Sequence, residues 1–191
     1  MQHINKHLDS TIKIVVDAHA DHNTIEQLRK NYKIEMAQYE ISGNFSKQRG
    51  ILVFTKKASG YTTTNFNLLD ETNTLQFDAV SPDGTIYNII AIYAHDGNNA
   101  PYFKKIHEQI QIQKNHYQIL IGDFNLTLNP ELDRINYKYE KDNHAQGRAE
   151  INSWILNNEY LDVFRFLYPS THGYTYRRDY NKDKKVDWTI A

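Results

Sequence analysis

The spacing of apolar and polar residues along the chain predicts a protein with more strands than helices. Apolar or alternating runs predict strands at Thr11–Val16, Lys33–Ile41, Gly50–Thr55, Thr74–Val80, Thr85–Tyr93, Tyr117–Ile121 and Val186 to the C-terminus. Helical spacing predicts helices at Asn23–Asn31, with Asn23 as N-cap, at Pro101–Asn115 and at Gln146–Asn157. Turn chemistry in Ser81–Gly84 predicts a hairpin on either side of it. Because the strands follow one another in runs, we expect an α+β fold with two packed sheets covered by helices.

Length and composition favour a single domain that spans residues 1–191. The chain is 40% hydrophobic, carries a net charge of -1 and has no cysteine. This balance excludes a globally basic nucleic-acid binder and a disulfide framework, but it leaves room for a local basic patch. No apolar stretch is long enough to span a membrane, and Met1–His7 lacks the apolar core of a signal peptide. We therefore expect an intracellular protein, nuclear or cytoplasmic, with no membrane partner.

The chemistry of the sequence is concentrated where strands end. The apolar run Ile119–Ile121 stops at Gly122, Asp123, Phe124 and Asn125. Alternation along a strand places Asp123 and Asn125 on one side and returns Phe124 to the core. A carboxylate there holds or polarises a water or a hard cation, and an amide orients a phosphate oxygen without adding negative charge. The alternative interpretation is a strand that simply stops at an Asx turn.

Other strand ends carry weaker candidates. Asp17 follows the first predicted strand, Tyr93 closes the strand Thr85–Tyr93, and Asp187 lies in the last one. Thr175 stands between two tyrosines. Each of these residues taken alone is more typical of a solvated strand end or of ordinary packing than of a functional site.

Together these segments resemble the endonuclease/exonuclease/phosphatase superfamily, and most closely the endonuclease domains of LINE-type (non-LTR) retrotransposons. The resemblance is carried, in order along the chain, by Arg49–Val53, Ile92–Ala94, Ile121–Asn125, Asn129–Arg134, Leu161–Arg165, Tyr174–Tyr176 and Val186–Trp188. It implies a four-layer αββα sandwich of the DNase I-like type. It also implies metal-dependent phosphodiester hydrolysis, most specifically DNA nicking by a retrotransposon-derived protein with a fused or neighbouring reverse transcriptase as a partner.

The resemblance also implies roles for individual residues. Asp123 positions or activates the attacking water, Asn125 and Tyr93 contact the phosphate, and Thr175 lines the same pocket. Asp17 stands where the family has a metal-binding glutamate, one methylene longer. Asp187 matches the aspartate that hydrogen-bonds a catalytic histidine in the family. That histidine and the family's first strand fall outside these residues, so we expect a domain that is incomplete at both ends and has weak activity or none.

Cofactor and substrate contacts follow from residue types. Carboxylate and amide oxygens without thiols suit Mg²⁺ or Mn²⁺. The segment Arg177–Lys185 is locally basic, and by resemblance Arg177, Arg178, Lys184 and Lys185 contact DNA phosphates. The alternative for this segment is a solvated loop whose aspartates offset its charge.

Three alternatives to a DNA nuclease stay open. A noncatalytic remnant of such a domain would fold without turnover, and a different phosphoesterase of the superfamily would use the same strand ends on another substrate. A zinc hydrolase of the metallo-β-lactamase type is the third alternative, because Asp17–His22 resembles a His-x-His-x-Asp-His motif with Asp17 in place of the first histidine.

Overall fold

A computed structural model describes residues 10–97, 99–110, 116–134, 142–172, 176–180 and 185–189. In chain order the elements are β1 (Ile12–Val15), α1 (His22–Asn31), α2 (Lys33–Ala37), β2 (Tyr39–Asn44), β3 (Ile51–Lys56), a 3₁₀ turn (Lys57–Ser59), β4 (Thr62–Asp70), β5 (Thr74–Val80), β6 (Ile86–Tyr93), α3 (Ala100–Gln109), β7 (Tyr117–Asp123), α4 (Pro130–Asp133), α5 (Ala145–Asn157), α6 (Val163–Leu167), β8 (Tyr176–Tyr180) and β9 (Lys185–Thr189). The chain forms two compact units. The first comprises the chain up to Tyr93 together with Ile110–Gly122, and the second comprises Ala94–Gln109 and the chain from Asp123 onward.

Most predicted strands are confirmed, whereas one predicted strand and one predicted helix cap are wrong. The segment Lys33–Ile41 is not one strand, because Lys33–Ala37 is helical and the strand begins only at Tyr39. The N-cap of α1 is Asp21 rather than Asn23, since Asp21 accepts the Thr24 N–H at 2.9 Å. The strand β4 was not predicted. Its pairing with β5 shifts register twice, which interrupts the alternation that a sequence pattern relies on.

Two sheets face each other within the first unit. Sheet 1 has the strand order β1-β3-β2, and sheet 2 has the order β4-β5-β6-β7. The predicted hairpin is confirmed as the antiparallel pair β5–β6. The core between the sheets is made by buried residues of β3, β5 and β6: Ile51, Val53, Leu75, Phe77, Ala79, Ile89 and Ala91. On the other face of sheet 1, Ile25 and Met36 pack on Ile41, Leu52 and Phe54, so that α1 and α2 cover that sheet.

The strand β7 forms one edge of sheet 2 and leaves part of its apolar face uncovered. Gln118 donates to the Asn88 side chain on one face of the sheet at 3.0 Å. On the opposite face Tyr117, Ile119 and Ile121 are 66%, 40% and 45% exposed. Sheet 1 ends at β1. Within the described part of the chain, the two sheets therefore share a core that does not extend over β7.

The second unit is built around α3 and α5. Phe103 of α3 packs edge-on against Trp154 of α5, with ring centroids 5.8 Å apart, and both side chains are fully buried. The prediction for α5 is confirmed within a residue. The helix α3 ends at Gln109, because Ile110 is not helical, and residues 111–115 of the predicted helix lie outside the described residues. The backbones of β8 and β9 pair as a separate two-stranded sheet. No helix among the described residues has the length and apolarity needed to cross a membrane.

Candidate active site

The first unit presents its candidate residues just after β1. Asp17 and His19 have φ of 52° and 46°, in the left-handed region that non-glycine residues rarely occupy. The backbone N–H of Ala18 donates to Gly50 O at 3.0 Å, and that of His19 donates to Arg49 O at 2.5 Å. These bonds hold the strained turn against the segment that precedes β3. The Asp17 carboxylate then lies 3.1 Å from His19 Nε2.

Arg49 and Tyr93 lie together in the same unit. The Arg49 guanidinium stands over the Tyr93 ring, 5.5 Å from its centroid, and Nη1 donates to Asn73 Oδ1 at 3.3 Å. Asn73 is 2% exposed, and its backbone carbonyl oxygen accepts the Tyr93 backbone N–H at 2.8 Å. Tyr93 and Arg49 are both half-buried. A buried asparagine therefore positions both the end of β6 and the guanidinium above its last side chain.

Asp17 is a carboxylate ligand that fits Mg²⁺. No group of three or more His, Asp or Glu residues that could enclose a metal occurs in the ranges that the structure describes. Mg²⁺ does not require such a cage, because it keeps several waters and commonly takes one or two carboxylates plus substrate phosphate oxygens. Asp17 uses Oδ1 toward His19 and is 33% exposed. Asp17 Oδ2 is a carboxylate oxygen, which is the ligand type that Mg²⁺ prefers.

The second unit fixes Asp123 and Asn125 by local hydrogen bonds. Asp123 Oδ1 accepts the Asn125 backbone N–H at 2.9 Å, which is the Asx turn that the alternative interpretation predicted. Asn125, with φ of 47°, donates from Nδ2 to Ala94 O at 2.6 Å. Phe124 packs near Phe103, with ring centroids 6.2 Å apart. The turn thus orients a carboxylate and an amide while the ring between them joins the core of its unit.

Several predicted site residues lie in or near the β8–β9 hairpin. Thr175 and Lys184 fall outside the described residues. The backbones of Arg177, Arg178, Lys185 and Asp187 belong to the paired strands. In the register of this pair Arg178 stands opposite Asp187. The roles assigned to these residues remain predictions.

The histidines of the zinc-like motif are engaged elsewhere. Asp21 accepts hydrogen bonds from both the backbone and the hydroxyl of Thr24, which lowers the pKa of its carboxyl to about 2. His22 stacks on Phe45 with ring centroids 4.3 Å apart. Asp17 and His19 contact each other, but Asp21 caps α1 and His22 stacks on Phe45, so the segment does not form a three-ligand zinc site.

Sequence reasoning did not identify Arg49 or Asn73 as site residues. Arg49 entered the sequence analysis only as the first residue of the segment Arg49–Val53. A Cβ on Gly50 would lie 2.7 Å from Asn44 O, so the strand entry requires glycine at that position. Asn73 lies in the turn between β4 and β5, and its role depends on long-range contacts that no local pattern carries.

Comparison with known proteins establishes the fold. No family model matches the sequence, and no curated protein does. The solved structure of an AP endonuclease from Archaeoglobus fulgidus matches with a TM-score of 0.71 and 14% identity, covering 94% of this chain and 76% of that one. The crystal structure of TDP2 from C. elegans matches with a TM-score of 0.43 and 15% identity, covering 65% and 40%. The first match confirms the predicted α+β, DNase I-like αββα fold.

Proposed function

We propose that this chain is a metal-dependent phosphodiesterase, most specifically the DNA-nicking endonuclease domain of a retrotransposon-derived protein. The observation that carries the proposal is the Asp123–Asn125 turn on a fold that resembles a solved AP endonuclease. A fold alone does not imply a function, so the proposal depends on this turn, where a carboxylate and an amide are fixed by hydrogen bonds.

In the proposed reaction, water attacks the phosphorus of a DNA phosphodiester and the bond to the leaving oxygen breaks. Asp123 orients the water and accepts its proton, while Asn125 and Tyr93 donate hydrogen bonds to the phosphate oxygens. Asp17 would hold Mg²⁺ or Mn²⁺, and a metal ion bound there would supply positive charge to stabilise the phosphate and the leaving oxygen. Among the remaining predicted residues, Asp187 is proposed for the position of the aspartate that hydrogen-bonds a catalytic histidine, and Thr175 is proposed to line the same pocket.

DNA as the substrate is supported mainly by the resemblance of Asn129–Arg134 and Asp162–Arg165 to retrotransposon-type segments, and also by the basic residues between Arg177 and Lys185. Arg177, Arg178, Lys184 and Lys185 are proposed to contact backbone phosphates, which would position the duplex without reading its sequence. A fused or neighbouring reverse transcriptase is proposed as the partner. That part of the proposal depends on the resemblance of Asn129–Arg134 and Leu161–Arg165 to retrotransposon-type segments.

The test is nicking of supercoiled plasmid with Mg²⁺, with Mn²⁺ and with EDTA. We expect slow nicking that requires the metal and falls by about 10²–10⁴ in Asp123→Asn, because the amide cannot accept the proton of the attacking water. Asp83→Asn is the matched control, since Asp83 is an exposed aspartate in the β5–β6 turn. It should nick at the wild-type rate.

Each outcome decides between the candidate functions. Nicking that survives in Asp123→Asn would remove Asp123 from the mechanism. A folded wild-type chain that leaves plasmid intact but hydrolyses a small phosphodiester would point to another substrate of the same fold. A folded wild-type chain that hydrolyses neither the plasmid nor the small phosphodiester would favour a noncatalytic domain.

A further inference from the structure

Arg49 has an unusual backbone conformation for its residue type, with a positive φ. Six non-glycine residues in the described part of the chain have positive φ, and four of them are Asp17, His19, Arg49 and Asn125. Aspartate, asparagine and histidine are enriched in this region of backbone space, but arginine is not. Arg49 has φ of 83°. Strain of this kind is maintained where the surrounding structure holds it and is concentrated at functional sites.

The surroundings of Arg49 direct its side chain toward residues already assigned to phosphate chemistry. Its backbone carbonyl accepts the His19 N–H, which ties it to the turn that carries Asp17. Its guanidinium lies over Tyr93 and bonds the buried Asn73. A cation stacked on an aromatic ring and fixed by a buried amide loses little entropy on binding a ligand, because its rotamer is already restricted.

We propose that Arg49 is a phosphate-binding residue that contacts the nucleic-acid backbone next to Tyr93. This inference rests on the proposed function and adds one contact to it. A guanidinium is planar and permanently charged, and it binds two phosphate oxygens at once, which an ammonium group does not do. A substrate phosphate would add to the present partners of Arg49 or replace them. The Tyr93 hydroxyl and the guanidinium would then bind the same phosphate or adjacent ones.

The test measures binding without turnover. A fluorescent duplex oligonucleotide is titrated with the full chain in EDTA at several salt concentrations. In Arg49→Gly the backbone keeps a conformation that glycine accepts readily, so the variant should fold. We expect its Kd to rise about tenfold and the slope of log K against log salt to fall by about 1, as loss of one phosphate contact requires. Arg49→Lys should keep the slope but lose affinity, because the charge stays while the bidentate contact is lost.

The matched control is Arg29→Ala, which removes the same charge from an exposed position of α1 in the same unit. It should leave both Kd and slope near the wild-type values. A folded Arg49→Gly that binds with the wild-type slope would overturn the assignment. Arg49-dependent binding by a wild-type chain that nicks nothing would overturn only the hydrolase proposal. Nicking with Arg49-independent binding would overturn only this inference. Absence of duplex binding by the wild-type chain would overturn this inference, and absence of nicking as well would overturn DNA as the substrate.

Discussion

The ion pair between Asp133 and Arg165 leads to a quantitative prediction about stability. Arg165 Nη2 lies 2.5 Å from Asp133 Oδ1, and the two side chains are 20% and 6% exposed. Arg165 Nη1 also donates to the carbonyl oxygens of Thr171 at 3.0 Å and Tyr168 at 3.2 Å. The pair therefore joins α4 to α6 and to the segment that follows α6. Removing one partner of such a pair leaves a charge that little water can reach.

The two single substitutions should differ in cost. Arg165→Ala leaves the buried Asp133 carboxylate without its cation and also removes the donor to three backbone carbonyls, so we expect the free energy of unfolding to fall by about 3–5 kcal/mol. Asp133→Ala leaves the guanidinium with its carbonyl acceptors and some solvent, so we expect about 2–3 kcal/mol. For a chain of this size each kcal/mol corresponds to a fall in Tm of about 2–4 °C.

Urea unfolding followed by tryptophan fluorescence is the appropriate assay, because Trp154 is fully buried in the same unit. The double variant should lose less than the sum of the single variants, since the second substitution removes a charge that the first had stranded. Strictly additive losses, or an Asp133→Ala variant less stable than Arg165→Ala, would refute the reasoning.

Two further predictions concern the first unit. The pKa of Asp21 is about 2 in the folded chain against 3.8 for the free group, so its stabilising effect should be complete above pH 3.8 and decline as the pH falls toward 2. The urea midpoints of the wild type and of Asp21→Ala should therefore converge between pH 3.8 and pH 2. A constant difference between the two midpoints would contradict the assignment of Asp21 as the N-cap. Replacing Ile119 and Ile121 by threonine should raise the soluble, monodisperse fraction in size-exclusion chromatography, because both apolar side chains are about two-fifths exposed on an edge strand. Unchanged aggregation would show that this face of β7 does not mediate self-association.

How far the sequence predicts the structure depends on whether the signal is local. The Ser81–Gly84 turn and the apolar alternation of its two strands were sufficient to predict the β5–β6 hairpin. In β4 two register shifts spoil that alternation, so the strand was missed. Asn23 satisfied the capping pattern, yet Asp21 takes the cap because its carboxylate reaches the backbone and the hydroxyl of Thr24 together. Asn73 contributes to the candidate site through Arg49 and Tyr93, which are distant from it in sequence. Hydrophobic periodicity carries no information about such contacts.

The segments that made DNA the most specific substrate prediction now have a structural explanation. The resemblance to retrotransposon endonucleases depends on two segments in combination, Asn129–Arg134 and Leu161–Arg165. The structure joins these segments through the ion pair between Asp133 and Arg165. A buried ion pair accounts for both residue types without reference to any substrate, so these segments support relatedness of fold more strongly than they support DNA binding. Distinguishing the substrates therefore requires a direct binding measurement, such as the dependence of duplex affinity on Arg49, which lies over Tyr93 in a strained backbone.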